Sequence, residues 1–130
     1  MSKSNTKTEK IYSKINGWLT KRGFENIKAN TEGFDTPTGF QKQGQEDLVI
    51  PDLTASTKDS KYYFEIAVKP TKRQKVQQLV SKWKLLSLLA NNKGGKLYLM
   101  APYGNKSFAQ DIIERYRIDA KFISLPSIKG

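Results

Sequence analysis

The sequence predicts an α/β fold: a mixed β-sheet with helices packed on its faces, in the order α-β-β-β-α-β-α-β. Two observations carry this. In the second half, runs rich in β-branched and aromatic residues alternate with stretches of helical period, and such strand–helix–strand units imply right-handed crossovers. In the first half, residues 51–69 read as two strands joined by a polar turn. With 130 residues, the chain is long enough for one real core and forms one domain, 1–130.

Residues 1–5 are polar and expected to be mobile. A helix starts near Thr6, because Thr6-Lys7-Thr8-Glu9 has the form of a capping box and Ile11, Ile15, Trp18 and Leu19 recur at helical spacing up to Gly23. Residues 24–29 form a short strand. Residues 30–45, rich in Gly, Thr, Gln and Asn, have no period and read as a plain connecting loop or an irregular hairpin. Phe34 and Phe40 within it either stack on bases or tuck into the core. Residues 48–53 and 61–69 are the next two strands. After Pro70, Thr71-Lys72-Arg73-Gln74 repeats the capping-box form. Val76, Leu79, Val80, Trp83, Leu86 and Leu89 or Ala90 then make an apolar stripe to about Asn91, stopped by Gly94 and Gly95. The opposite face of that helix carries Lys72, Lys75 and Lys82. Residues 96–101 are a buried strand, Pro102 and Gly104 a turn, residues 107–117 an amphipathic helix and residues 121–125 a last strand.

The chain has no cysteine and no histidine. Disulfides, Cys/His zinc sites, Ser-His and Cys nucleophile schemes and histidine bases are therefore excluded, and any hydrolysis must rest on carboxylates, lysine and an oxygen-liking metal. The net charge is +11, from 23 basic and 12 acidic residues. Such a balance calls for a polyanion, nucleic acid first and an anionic membrane surface second. No acidic residue falls between Glu65 and Asp111, while lysines are frequent there. Lysine is a hydrated point charge, so recognition of the nucleic-acid backbone or shape is expected instead of base reading, with Lys72, Arg73, Lys75 and Lys82 as the nucleic-acid-binding residues. No apolar run approaches a membrane span and the first residues lack the apolar core of a signal peptide, so a cytoplasmic protein without a membrane partner is expected.

Alternation along the strand puts Glu65, Ala67 and Lys69 on one face and Phe64, Ile66 and Val68 on the other. If the two strands pair, Asp52 lies beside Glu65, and two adjacent carboxylates repel unless a cation joins them. A divalent metal is the natural partner. Glu46 and Asp47 could supply the aspartate's role instead, and an exposed strand-end aspartate is the plain alternative for Asp52.

Pro51-Asp52, a spacer, then Glu65 in an apolar strand with a lysine close behind resembles the PD-(D/E)xK nuclease superfamily, and within it the small Holliday-junction resolvases and related phage endonucleases. The region 9–125 can be laid on that pattern. It departs at one position: Ala67 stands where the family's lysine is found, and Lys69 is the nearest lysine on the same face. The resemblance implies a restriction-endonuclease-like sheet and a Mg2+ (or Mn2+) ion held by Asp52, Glu65 and the main-chain carbonyl of Ile66. Glu9 is either a helix cap or an acid extending that site, and Gln74 either a cap partner or the counterpart of a glutamine found early in the family's following helix. Lys69 is the candidate catalytic lysine, with Lys72 weaker. The implied activity is hydrolysis of phosphodiester bonds in DNA, with branched or junction DNA favoured; symmetric cleavage of two strands would require a homodimer. A phage-encoded enzyme would act in the host cytoplasm. Ala67 favours the alternative, a catalytically inactive nuclease-fold DNA-binding module. An adaptor for acidic membranes or proteins accounts for the charge but not for the acid and lysine on one strand face.

Overall fold

The computed structural model describes residues 6–41, 44 and 48–123, with side chains from Lys10 onward. Residues 1–5, Glu46, Asp47, the side chains of the Thr6 capping box and the end of the strand expected at 121–125 lie outside the described residues.

Helix α1 (Thr6–Lys21) leads into strand β1 (Glu25–Ala29). A small ribbon of β2 (Phe40–Gln41) and β3 (Leu48–Val49) follows, then the hairpin of β4 (Leu53–Ser56) and β5 (Lys61–Ile66). The second half is helix α2 (Arg73–Asn92), strand β6 (Leu97–Met100), helix α3 (Lys106–Arg115) and strand β7 (Ala120–Phe122). Five strands form one sheet in the order β1-β4-β5-β6-β7. β1, β4 and β5 are antiparallel neighbours, whereas β5, β6 and β7 run parallel. The short turn 57–60 can only reverse the chain, while the connections through α2 and α3 are long enough to return it to the same end of the sheet. The chain is thus α/β, with a mixed sheet flanked by helices.

Period-2 alternation sends successive residues of β5 to opposite layers. Phe64 packs with Tyr12, Ile15 and Leu19 of α1, beside Leu53 and Met100. Tyr63 packs with Val80, Trp83 and Leu86 of α2 and with Ala109 and Ile112 of α3.

Two local expectations are corrected, at residues 48–53 and at Thr71, and the alternatives left open for residues 30–45 are resolved. The strand expected over residues 48–53 divides, because Pro51 has no N–H to continue a ladder; β3 pairs with β2, and β4 begins only at Leu53. The segment 30–45 accordingly contributes a short strand, and both of its phenylalanines turn toward the core, Phe34 to Tyr12 with ring centroids 6.5 Å apart and Phe40 to Tyr63 at 6.0 Å. The capping box at Thr71 does not form: the N-cap of α2 is Lys72, with no side-chain cap hydrogen bond.

The C-terminal end of α2 sits directly on the sheet. The Lys61 N–H donates to the Lys93 carbonyl at 3.3 Å, and the Gly95 N–H to the Ala90 carbonyl at 2.9 Å. The Ser87 hydroxyl donates to the Asp119 carbonyl at 2.7 Å, and the Asp119 carboxylate holds Lys96 at 3.0 Å. A Cβ added at Gly95 would run into the Lys61 carbonyl, whereas one at Gly17 in α1 meets nothing within 4 Å. Gly95→Ala is therefore expected to destabilise the protein by about 1–3 kcal/mol, the usual cost of overpacking, while Gly17→Ala stabilises it by about 0.5–1 kcal/mol. Urea denaturation of the two variants checks this; equal midpoints would remove the close approach as the reason for glycine at 95.

Candidate active site

Asp52 lies just ahead of β4, and Glu65 is the penultimate residue of β5. Leu53 is registered opposite Phe64, so one step outward brings Asp52 opposite Glu65 at the end of the hairpin. Here the two side chains replace the backbone rungs. The Asp52 N–H donates to Glu65 Oε2 at 2.8 Å, and the Ile66 N–H donates to Asp52 Oδ2 at 2.8 Å. The reciprocal pair fixes both carboxylates with one oxygen of each spent on backbone. The Asn30 N–H, donating to the Asp52 carbonyl at 2.8 Å, holds the residue from the β1 side.

The remaining oxygens face Lys82 of α2. Its Nζ is 3.2 Å from Glu65 Oε1 and 3.7 Å from Asp52 Oδ1. Glu65 is buried, with 1% of its side chain exposed, while Asp52 and Lys82 each keep about a quarter of theirs in contact with solvent. Two carboxylates against one ammonium leave a unit of negative charge in a mostly dry place. Burial, then repulsion by Asp52, pushes the Glu65 carboxyl up to about 8. Burial also raises Asp52, against the pull of Lys82 and the Ile66 N–H. For Lys82, burial works to lower the pKa, but attraction to Glu65 and Asp52 outweighs it and the net shift is upward, keeping the amine charged. Tyr12 of α1 belongs to the same surroundings, its hydroxyl held well above the ordinary tyrosine range by burial and by the charges of Asp52 and Glu65.

The donor chemistry fits a hard divalent cation. The surplus negative charge can be offset either by a proton on Glu65 or by a metal, and carboxylate oxygens are what Mg2+ and Mn2+ take. Asp52, Glu65 and the adjoining carbonyl of Ile66 are the residues that would hold it. Among the described residues no third carboxylate joins them. Glu9 is in α1, one turn before Tyr12, and its side chain lies outside the described residues.

The lysine at this site is not the one the sequence singled out. β5 stops at Ile66, so the alternation expected to keep Lys69 on the face of Glu65 does not extend to it. Lys69 is exposed, its N–H donates to Asn105 Oδ1 at 2.9 Å, and it makes no ion pair among the described residues. Ala67 is buried beneath α2. Lys82, assigned from the sequence to an outward face with Lys72 and Lys75, turns inward instead. Helix geometry explains the correction: Lys82 follows Leu79 by three residues and precedes Leu86 by four, and both leucines pack toward the core. That spacing was the signal available in the sequence. Lys72, Arg73, Lys75 and Gln74 are exposed around the first turn of α2, and Lys72, Arg73 and Lys75 make no ion pair among the described residues.

Compared with protein-family models, curated proteins and solved structures, the chain finds no match in any of the three. Among the described residues no helix is long and apolar enough to cross a membrane.

Proposed function

We propose that this protein is a divalent-metal-dependent DNA endonuclease of the PD-(D/E)xK type, with a restriction-endonuclease-like arrangement of its sheet and with Asp52, Glu65 and Lys82 at its centre. The observation that carries the reading is the pair of carboxylates, Glu65 braced by the Asp52 N–H and Asp52 by the Ile66 N–H, sharing one lysine ammonium at the end of the β4–β5 hairpin in a strongly basic chain. A bound Mg2+ or Mn2+ supplies Lewis-acid polarisation of the phosphate and a more acidic water. Asp52 and Glu65 would hold that ion. Lys82 would donate a hydrogen bond to the attacking water and offset the charge that grows on the phosphate oxygens as the new P–O bond forms and the ester P–O bond breaks, the water's proton passing to solvent and the departing ester oxygen taking one from it. Lys72, Arg73 and Lys75 hold the DNA backbone by neutralising phosphates.

A second reading is supported by the same ammonium. Because Lys82 already bridges both carboxylates, it can serve as their permanent counterion, and the protein is then a nuclease-fold DNA-binding module without catalysis. Incubating the chain with branched, duplex and single-stranded DNA, with Mg2+, Mn2+ or chelator, separates the two. The enzyme reading expects metal-dependent cleavage by wild type and none by Asp52→Asn. Salt-sensitive binding with no cleavage of any substrate leaves the module.

A further inference from the structure

Tyr103 is 92% exposed, the most exposed large hydrophobic side chain among the described residues. Tyrosine ordinarily covers its ring and leaves only the hydroxyl wet, yet among the described residues no other aromatic ring stacks on this one. It is not held out on a loose loop. The amide of Asn105 donates to the carbonyls of Pro102 and of Tyr103 itself, each at 3.3 Å, and its oxygen accepts the Lys69 N–H at 2.9 Å. One asparagine thus ties the turn after β6 to the segment after β5 and sets an aromatic ring and the unpaired Lys69 on a common ridge.

That ridge adjoins the carboxylates. Met100 is registered beside Ile66, whose N–H holds Asp52, and the Ala67 N–H donates to the Met100 carbonyl at 2.9 Å. Tyr103 follows Met100 by three residues, a backbone reach of at most about 10 Å, which a few nucleotides of an extended strand can span. An exposed aromatic beside lysines is the combination by which proteins hold single-stranded nucleic acid: the cation takes the phosphate and the ring takes the face of a base. A base pair inside a duplex has both faces covered by its neighbours.

We infer that Tyr103 is a stacking platform for an unpaired nucleobase, so that the nucleic acid engaged at this edge carries an unpaired nucleotide next to the phosphodiester presented to Asp52 and Glu65. The position of that phosphodiester rests on the nuclease reading above; the stacking does not.

The test is equilibrium binding in chelator, so that no cleavage is needed. Wild type, Tyr103→Ala and Tyr103→Phe are titrated with a single-stranded DNA carrying 2-aminopurine, the same sequence as RNA, and the same strand in a blunt duplex. Tyr103→Ala is expected to weaken single-strand binding about 5- to 150-fold, the range for one stacked base, and to abolish the quenching of 2-aminopurine. Tyr103→Phe retains both, and duplex binding changes little in either variant. A parallel loss on RNA identifies the base itself as the ligand, and a loss confined to DNA or to RNA identifies that strand as the source. The inference is overturned if Tyr103→Ala weakens single strand and duplex alike, if it weakens neither, or if wild type binds no single strand. Intact binding without metal-dependent cleavage would count against the nuclease reading alone.

Discussion

Replacing Lys82 with methionine is expected to slow single-turnover, metal-dependent DNA cleavage about 10²–10³-fold, the usual cost of removing one preorganised group that stabilises transition-state charge, with little change in DNA affinity. Methionine keeps most of the apolar stem that packs beside Leu79 and Leu86, so the variant removes the ammonium and little else. Binding should persist, because an ammonium already engaged with two carboxylates has little to give to phosphate in the ground state. Lys69→Ala is the necessary comparison. Lys69 lies on the ridge with Tyr103 and contacts neither carboxylate, so its loss should weaken affinity with only a minor effect on single-turnover rate. Rates at saturating protein and affinities in chelator distinguish the two lysines. Inactivity of Lys69→Ala together with full activity of Lys82→Met would move catalysis to the strand lysine suggested by the sequence and leave Lys82 a counterion.

The second large effect is on stability. The metal-free protein is expected to become less stable as pH rises from about 4.5 to about 8, and a divalent cation should reverse that fall. Glu65 ionises at about 8 in the folded chain against 4.5 ordinarily, so between those values the folded state keeps a proton that the unfolded state has released. Its contribution is fully present below 4.5, is lost as pH climbs through 8 and is level beyond. Asp52, also raised, acts in the same direction just above its ordinary 3.8. Lys82 stays charged throughout this window, because its pKa is raised from an ordinary value of 10.5. One proton sets a limiting slope of about 1.4 kcal/mol per pH unit. Glu65→Gln should flatten the slope. At pH 8, Mn2+ at a hundred times its dissociation constant should add about 2.7 kcal/mol to wild type, less at pH 6 where the proton competes, and nothing to Asp52→Asn. Thermal melting across pH, with Mn2+ or chelator, provides the measurement. A melting temperature indifferent to Mn2+ at every pH would favour the module whose permanent cation is Lys82.

Much of this arrangement was legible in the residues because strand and helix periods are local. The alternation Tyr62 to Val68 assigns Glu65 a face, and the polar turn before it forces the preceding strand to fold back, so that Asp52 arrives opposite. The stripe from Val76 to Ala90 and the glycines after it likewise mark α2, observed at Arg73–Asn92. What misled was equally local. Pro51 divided a strand that hydrophobicity alone made continuous, and the ladder of β5 ended at Ile66, before the alternation could carry Lys69 anywhere. Tyr103 read as part of a turn, because exposure depends on what fails to pack over a ring.

The amino-acid sequence determined by itself the classes of chemistry open to this protein, the order of its main elements and the two carboxylates, Asp52 and Glu65, that come together once the hairpin pairs. Only the tertiary structure decided which cation meets them. A carboxylate pair in one hairpin is specified by neighbours a few residues away, but the lysine comes from a helix that crosses the sheet. The spacing of Lys82 from Leu79 and Leu86 gives it an inward side, but the 3.2 Å from its ammonium to Glu65 is set by how α2 packs across β5.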